Sequence, residues 1–213
     1  MMIEIKKSIK PIKYENAIYL LEKRLNEMIK KKSNELIWIL EHKEVYTAGV
    51  SYNKNELLDK SIKLVKTNRG GKITYHGPGQ QIVYFLINLQ NRKKDVRKFV
   101  STIEISAIKL LKEFNIEAKT FPNRIGIWIT KNGKDKLIQE QKIGAIGLRI
   151  KKWVTYHGLS FNLNPNLDYY NKIHACGLKD YKLTSMESLG QNLTPKEFNK
   201  MYLKIFFDEL KKI

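Results

Sequence analysis

The sequence predicts an α+β (α/β two-layer) fold: helices packed on a mixed, mostly antiparallel β-sheet. Three observations carry this. Three segments place apolar residues at helical spacing. Several shorter segments alternate or run apolar as strands do, and they are joined by short, turn-rich links. The strict βαβαβ alternation of a doubly wound sheet is absent.

Taken in order, Tyr14, Ile18, Leu21, Leu25 and Met28 predict an amphipathic helix over 14–32. The apolar run 36–40 reads as a buried strand. Strands are expected at 62–66, 72–75 and 82–86, and a second helix over 95–114, with Phe99, Ile103, Ala107, Leu110 and Phe114 on one face. Strands 125–130, 142–150 and 153–160 follow, and Asn132-Gly133 is a hairpin signal. The last helix opens at Thr194-Pro195-Lys196-Glu197, which combines an N-cap, a proline at the first helical position and the glutamate of a capping box.

No internal repeat, low-complexity tract or Pro/Ser linker interrupts the 213 residues, so 1–213 is expected to be a single domain. With 42% hydrophobic and 29% charged residues, the chain is neither disordered nor collagen-like. The apolar run 82–87 is too short to cross a bilayer, and the N-terminus lacks the pattern of a secretory or transit signal. A cytoplasmic location is therefore expected. One cysteine, Cys176, excludes an internal disulfide and a Cys-only zinc site. Forty basic against 21 acidic residues give +19. Three readings of that excess stay open: a lysine-rich compositional bias, an acidic macromolecular partner, and nucleic acid. The last is disfavoured, because the lysines are scattered and only Arg24, Arg69, Arg92, Arg97, Arg124 and Arg149 are arginines.

Four clusters draw attention. The stretch from Arg69-Gly70-Gly71 to His76-Gly77-Pro78-Gly79-Gln80 holds four of the 12 glycines. It reads either as a hairpin with a structural histidine or as a loop lining a ligand, and it is neither a P-loop nor a dinucleotide fingerprint. Lys142-Ile143-Gly144-Ala145-Ile146-Gly147 places a lysine at the start of a small-residue strand. That lysine is either a solvated surface group or one reaching into a site. Tyr156-His157-Gly158 repeats the His-Gly pattern. Cys176, in Ala175-Cys176-Gly177-Leu178, is either a small buried hydrophobe or an exposed nucleophile on a turn. His42, His76, His157 and His174 show no metal-ligand spacing, and no Gly-x-Ser-x-Gly occurs.

In combination the clusters are more specific. Glu41-His42-Lys43-Glu44-Val45-Tyr46-Thr47-Ala48-Gly49 is followed in order by Arg69-Gly70-Gly71 with Thr74-Tyr75-His76-Gly77-Pro78-Gly79-Gln80. Lys142 to Gly147, His157-Gly158-Leu159-Ser160-Phe161-Asn162 and Cys176-Gly177-Leu178 come next. This order resembles the octanoyl (lipoyl) transferase family, over roughly residues 36–190. The resemblance implies the fold of the catalytic domains of biotin- and lipoate-protein ligases, no cofactor, and a monomer. It implies transfer of octanoyl from octanoyl-acyl carrier protein to a lysine of lipoyl domains, on 2-oxoacid dehydrogenases and the glycine-cleavage H protein, with no nucleic-acid or membrane partner. Position by position, it makes Cys176 the acyl-accepting nucleophile and Lys142 the residue that lowers its pKa. The acyl-site walls would be Arg69, Gly70, Gly71, Lys72, Ile73, Thr74, Tyr75 and His76, with Ala145, Ile146, Gly147, Gly158, Leu159 and Ser160.

Three positions depart from the family pattern: Ala175 stands where a proline is common, Lys43-Glu44 where prolines often follow Glu-His, and Gly144 where alanine is commoner. None removes a reacting group. Two rival functions remain, an ATP-dependent lipoate-protein ligase of the same fold and a basic nucleic-acid-binding module.

Overall fold

A computed structural model describes residues 2–122, 124–133, 135–177 and 181–213, and for Cys176 the backbone only. Ten strands and three long helices organise it: β1 (Ile3–Lys7), α1 (Tyr14–Ile29), β2 (Glu35–Leu40), β3 (Val45–Ala48), β4 (Leu64–Lys66), β5 (Ile73–His76), β6 (Gln80–Leu86), α2 (Val96–Lys112), β7 (Ile116–Phe121), β8 (Arg124–Asn132), β9 (Asp135–Lys151), β10 (Val154–Asn162) and α3 (Pro195–Leu210). Seven strands form one sheet in the order β1-β2-β6-β10-β9-β8-β7, and β4-β3-β5 form a second. Only β1 with β2 and β3 with β4 run parallel. The mixed, mostly antiparallel arrangement expected from the sequence is what forms.

Both faces of the large sheet are covered, which explains why every residue of β2 and β6 is buried. Ile37, Ile39, Val83 and Phe85 face α2 and α3, meeting Phe99, Ile103, Phe198 and Phe206. Leu36, Trp38, Leu40, Ile82, Tyr84 and Leu86 face the other way, onto Ala17, Leu21, Leu25 and Met28 of α1. The helices therefore sit on both faces rather than one. The small sheet has its own core of Ala48, Ile73, Tyr75, Tyr170, Ile173 and Ala175.

Local chemistry sets the boundaries. Asp95 caps α2 by accepting the Lys98 N–H at 2.9 Å. Thr194 and Glu197 form the anticipated capping box of α3, with Pro195 in its first turn. α1 stops at Ile29 instead of 32, because Lys31 enters the left-handed region at φ 57°. The β8–β9 hairpin turns at Gly133, φ 60°, with Asn132 paired to Asp135. β9 begins seven residues earlier than the expected 142, as its polar stretch 135–141 pairs with β8. Strands β1, β3 and β7 are additional. β7 buries only Ile116 and Ala118, too weak a pattern to stand out in sequence.

Candidate active site

Between the two sheets lies a cavity of about 420 Å³, within the usual size of a small-molecule site, roughly 300–1,000 Å³. One wall is the loop carrying Arg69, Gly70, Gly71 and Lys72; the other is the middle of β9 and β10, with Ala145, Ile146, Gly147, Gly158, Leu159 and Ser160. Thr74 and His76 reach it from β5, and Lys142 from β9. Ile73 and Tyr75, expected as wall residues, do not line it. Side chains alternate along a strand, so these two turn into the small core, where Tyr75 stacks on Tyr169 at 4.5 Å.

Arg69 is a clamp. Its Nη2 donates to the Thr47 carbonyl at 2.9 Å, the Thr47 hydroxyl at 2.7 Å and the Lys72 carbonyl at 2.8 Å, while Nη1 donates to the Gly70 carbonyl at 3.0 Å. The loop is thereby tied to β3, and the Gly70 N–H ties it to β9 through the Leu148 carbonyl at 3.2 Å. Arg69→Met is expected to remove the four hydrogen bonds that hold the loop to Thr47, Gly70 and Lys72 and to lower stability by about 2 kcal/mol. Urea unfolding checks this; an unmoved midpoint would refute the clamp.

The floor is a cluster of imidazoles and phenols. His42 donates from Nδ1 to the Ile12 carbonyl at 3.0 Å and accepts the Tyr84 hydroxyl on Nε2 at 2.6 Å. His76 donates from Nδ1 to Gln80 Oε1 at 2.6 Å. The Gln80 amide nitrogen in turn donates to Asn162 Oδ1 and the Tyr170 hydroxyl, both at 2.8 Å. His157, at φ 63° within β10, donates from Nε2 to Asn68 Oδ1 at 2.8 Å. Burial, before any charge effect, pushes all three imidazoles down: His42 to about 4, His76 to about 3 and His157 to about 3. For His76 the neighbouring His42 and the Arg69 guanidinium add to burial, and for His157 the Arg69 and Arg149 guanidiniums do. The floor is thus uncharged at neutral pH.

Lys142 is 4% exposed. Its backbone is bridged to the 182–184 segment, the Lys142 N–H donating to the Lys182 carbonyl and the Thr184 N–H to the Lys142 carbonyl, each at 2.9 Å. Its ammonium lies 5.5 Å from the centre of the Trp128 ring, a cation–π distance. The lane for its stem exists because residue 126 is glycine at φ 136°: a Cβ there would overlap the Lys142 Cε. The lysine thus reaches into the cavity rather than into solvent.

Sequence reasoning missed several residues here. Tyr14 and Tyr84 line the cavity; each carries an apolar stripe and so reads as plain core. Arg124 also lines it, its guanidinium lying over Phe121, Trp128 and Tyr181 at 3.8, 4.4 and 4.5 Å and paired with Glu140 at 3.4 Å. No local signal marks it. Glu41, noted only as part of a motif, holds the tight turn before β6 by accepting the Gly79 N–H at 3.2 Å and the Gln81 amide at 2.8 Å.

Ala175–Gly177 forms one 3₁₀ turn packed beside β5, closed by the Gly177 N–H donating to the His174 carbonyl at 2.8 Å. The Cys176 side chain, expected as the nucleophile, lies outside the described atoms, as does Leu178. Among the described residues, no group of three or more His, Cys, Asp or Glu is placed to hold a metal ion.

A mixed sheet wrapped by helices, with a glycine-walled cavity and a buried lysine, defines a ligand-binding enzyme domain of the α+β class. The chain belongs to the lipoyl protein ligase A/B catalytic domain family, whose profile matches residues 13–207. It is similar to the octanoyltransferase of Wolbachia sp. subsp. Brugia malayi (strain TRS), 40% identical over 210 residues that cover 94% of this chain and 100% of that protein. To the octanoyltransferase of Parvibaculum lavamentivorans it is 42% identical over 199 residues, covering 93% of this chain and 88% of that one. In three dimensions it resembles the bipartite lipoate protein ligase of Thermoplasma acidophilum, solved in a study of that ligase and its E2 lipoyl domain. The TM-score is 0.69 at 13% identity, covering 99% of this chain and 85% of that one, a likeness of fold.

Proposed function

We propose that residues 1–213 form one octanoyltransferase domain that carries the acyl group on Cys176. The observation that carries the reading is a buried lysine, Lys142, opening onto a glycine-walled cavity in a chain about 40% identical to octanoyltransferases. The walls are Arg69 to Lys72, Thr74 and His76, with Ala145 to Gly147 and Gly158 to Ser160, and they take the octanoyl chain.

The reaction is covalent and ping-pong. The Cys176 thiolate attacks the thioester carbonyl of octanoyl-acyl carrier protein, a tetrahedral oxyanion forms, and the carrier's C–S bond breaks. The carrier thiol leaves with a proton, and the enzyme holds a thioester. The amine of an acceptor lysine then attacks that carbonyl; the new amide C–N bond replaces the enzyme C–S bond, and the amine's proton returns to the cysteine. The Lys142 ammonium favours thiolate over thiol; in its neutral form, the same amine serves as the base for the acceptor step.

Acceptors are lipoyl domains, among them those of 2-oxoacid dehydrogenases and the glycine-cleavage H protein. The charge of +19 steers an acidic carrier and acidic acceptors to the site. Among the described residues no helix is long and apolar enough to cross a membrane, and we place the enzyme in the cytoplasm as a monomer.

The test is intact-protein mass after mixing with octanoyl-acyl carrier protein, without ATP or magnesium. Wild type gains one octanoyl group, removed by hydroxylamine, and Cys176→Ala gains none. No adduct on wild type, with octanoate joined to a lipoyl domain only when ATP is supplied, would make the chain a ligase instead.

A further inference from the structure

The turn that carries Cys176 is held from outside by a segment the proposed mechanism does not use. Residues 56–59 lie alongside 172–174. Leu57 bridges Ile173 in antiparallel fashion, the Leu58 and Asp59 N–H groups donate to the Lys172 carbonyl at 3.0 and 3.2 Å, and the His174 N–H donates to the Glu56 carbonyl at 2.7 Å. The Glu56 side chain is 7% exposed and turns inward, forming an ion pair with the Lys72 ammonium at 2.8 Å. Its other oxygen lies 3.5 Å from the Ile73 N–H at the start of β5.

Gly177 is packed against this pair. A Cβ at 177 would overlap the Lys72 ammonium and come within 2.9 Å of Glu56 Oε1, and the residue sits at φ 71°, a backbone conformation that favours glycine. Its Cα is about 3.8 Å from that of Cys176. A buried carboxylate and its counter-ion therefore flank the residue that follows the reactive position.

We propose that Glu56 and Lys72 are a positioning pair for the Cys176 thiol. The carboxylate pins the 174–177 turn to the glycine-rich loop, and the ammonium cancels its charge, so that the turn bearing the cysteine does not sit against an unpaired buried anion. This rests on Cys176 being the nucleophile. The other charged or titratable groups around the turn are His174 on the turn itself, His76 and Tyr75 on β5, the Asp59–Lys172 pair on the flanking segments, and Arg69, Arg124 and Lys142 around the cavity.

The chain has one cysteine, so the pH profile of its alkylation by iodoacetamide, read by mass, reports a single thiol. Three variants close a cycle: Lys72→Met, Glu56→Gln and the double variant. Lys72→Met leaves the carboxylate unpaired and moves the midpoint up by about one pH unit; Glu56→Gln leaves the ammonium free and moves it down. The double variant returns close to wild type. Lys72→Arg, which keeps the charge, keeps the midpoint and shows that a shift in Lys72→Met is electrostatic. Lys72→Gln repeats the first arm with a side chain that still reaches Glu56, should the methionine disturb folding.

Coincident profiles for wild type and the folded single variants overturn the proposal, as does a shift that the double variant fails to reverse. Alkylation needs no acyl donor. A wild type that alkylates normally yet never gains an octanoyl adduct therefore refutes the nucleophile reading alone.

Discussion

Lys142→Met is expected to lower kcat/KM for octanoyl transfer by about 10²–10³ without unfolding the protein. Methionine matches the stem that fills the lane beside Gly126 and over Trp128, so packing is retained and only the ammonium is removed. Arginine is expected to be nearly as damaging, because its planar fork is wider than that lane. Steady-state kinetics with octanoyl-acyl carrier protein check the first effect, and a loss under about threefold would remove Lys142 from the chemistry. The alkylation profile of Cys176 separates its two roles. If the ammonium stabilises the thiolate, the midpoint rises in Lys142→Met, since each pH unit is about 1.4 kcal/mol of differential interaction. If the amine acts as the base of the acceptor step, the midpoint stays and deacylation by the acceptor slows.

What the sequence disclosed follows from which constraints are local. All three long helices carry apolar stripes, and in α2 and α3 a capping signal lies within the same few residues, so Asp95 and Thr194-Pro195-Lys196-Glu197 mark those two starts without tertiary help. The glycine-rich loop is visible for a similar reason. The backbone comes close to a neighbour there, and only glycine allows it.

Other features depend on distance in sequence. Ile73 and Tyr75 share a motif with Thr74 and His76, and treating the block as one wall ignored the period of two that splits it between cavity and small core. The Glu56–Lys72 pair joins residues 16 apart across a turn whose course no local pattern dictates. Arg124 lies over Phe121 and Trp128, both near it in sequence, but the third ring over which it sits, Tyr181, comes from a distant segment. His42, beside a familiar glutamate in the sequence, is a core residue held by the Ile12 carbonyl and the Tyr84 hydroxyl.

That neutral floor makes acid lability the second large effect. His76 and His157 are held at about 3 and His42 at about 4, whereas in the unfolded chain each takes a proton near 6.5. Their folded pKa values are depressed, so the stability they allow is fully present above about pH 6.5 and is lost as pH falls from there toward about 4. In that window the unfolded chain binds up to three more protons than the native one. Each costs about 1.4 kcal/mol per pH unit, so the three together remove about 4 kcal/mol for each unit of acidification. Against a total stability of roughly 5–15 kcal/mol, the fold is expected to fail between about pH 5 and 4, and octanoyl transfer with it, since His76 and His157 line the cavity. Urea unfolding at about pH 7.5, 6 and 5 gives the slope directly. His42→Phe, which removes one of the three protons, is expected to be less stable than wild type at about pH 7.5 because the Tyr84 hydroxyl loses its acceptor. Its stability should nevertheless fall about one third less steeply on acidification. Equal stability of the wild type at about pH 7.5 and 5 would mean that the imidazoles take up protons without leaving the core, and the neutral floor would have to be abandoned.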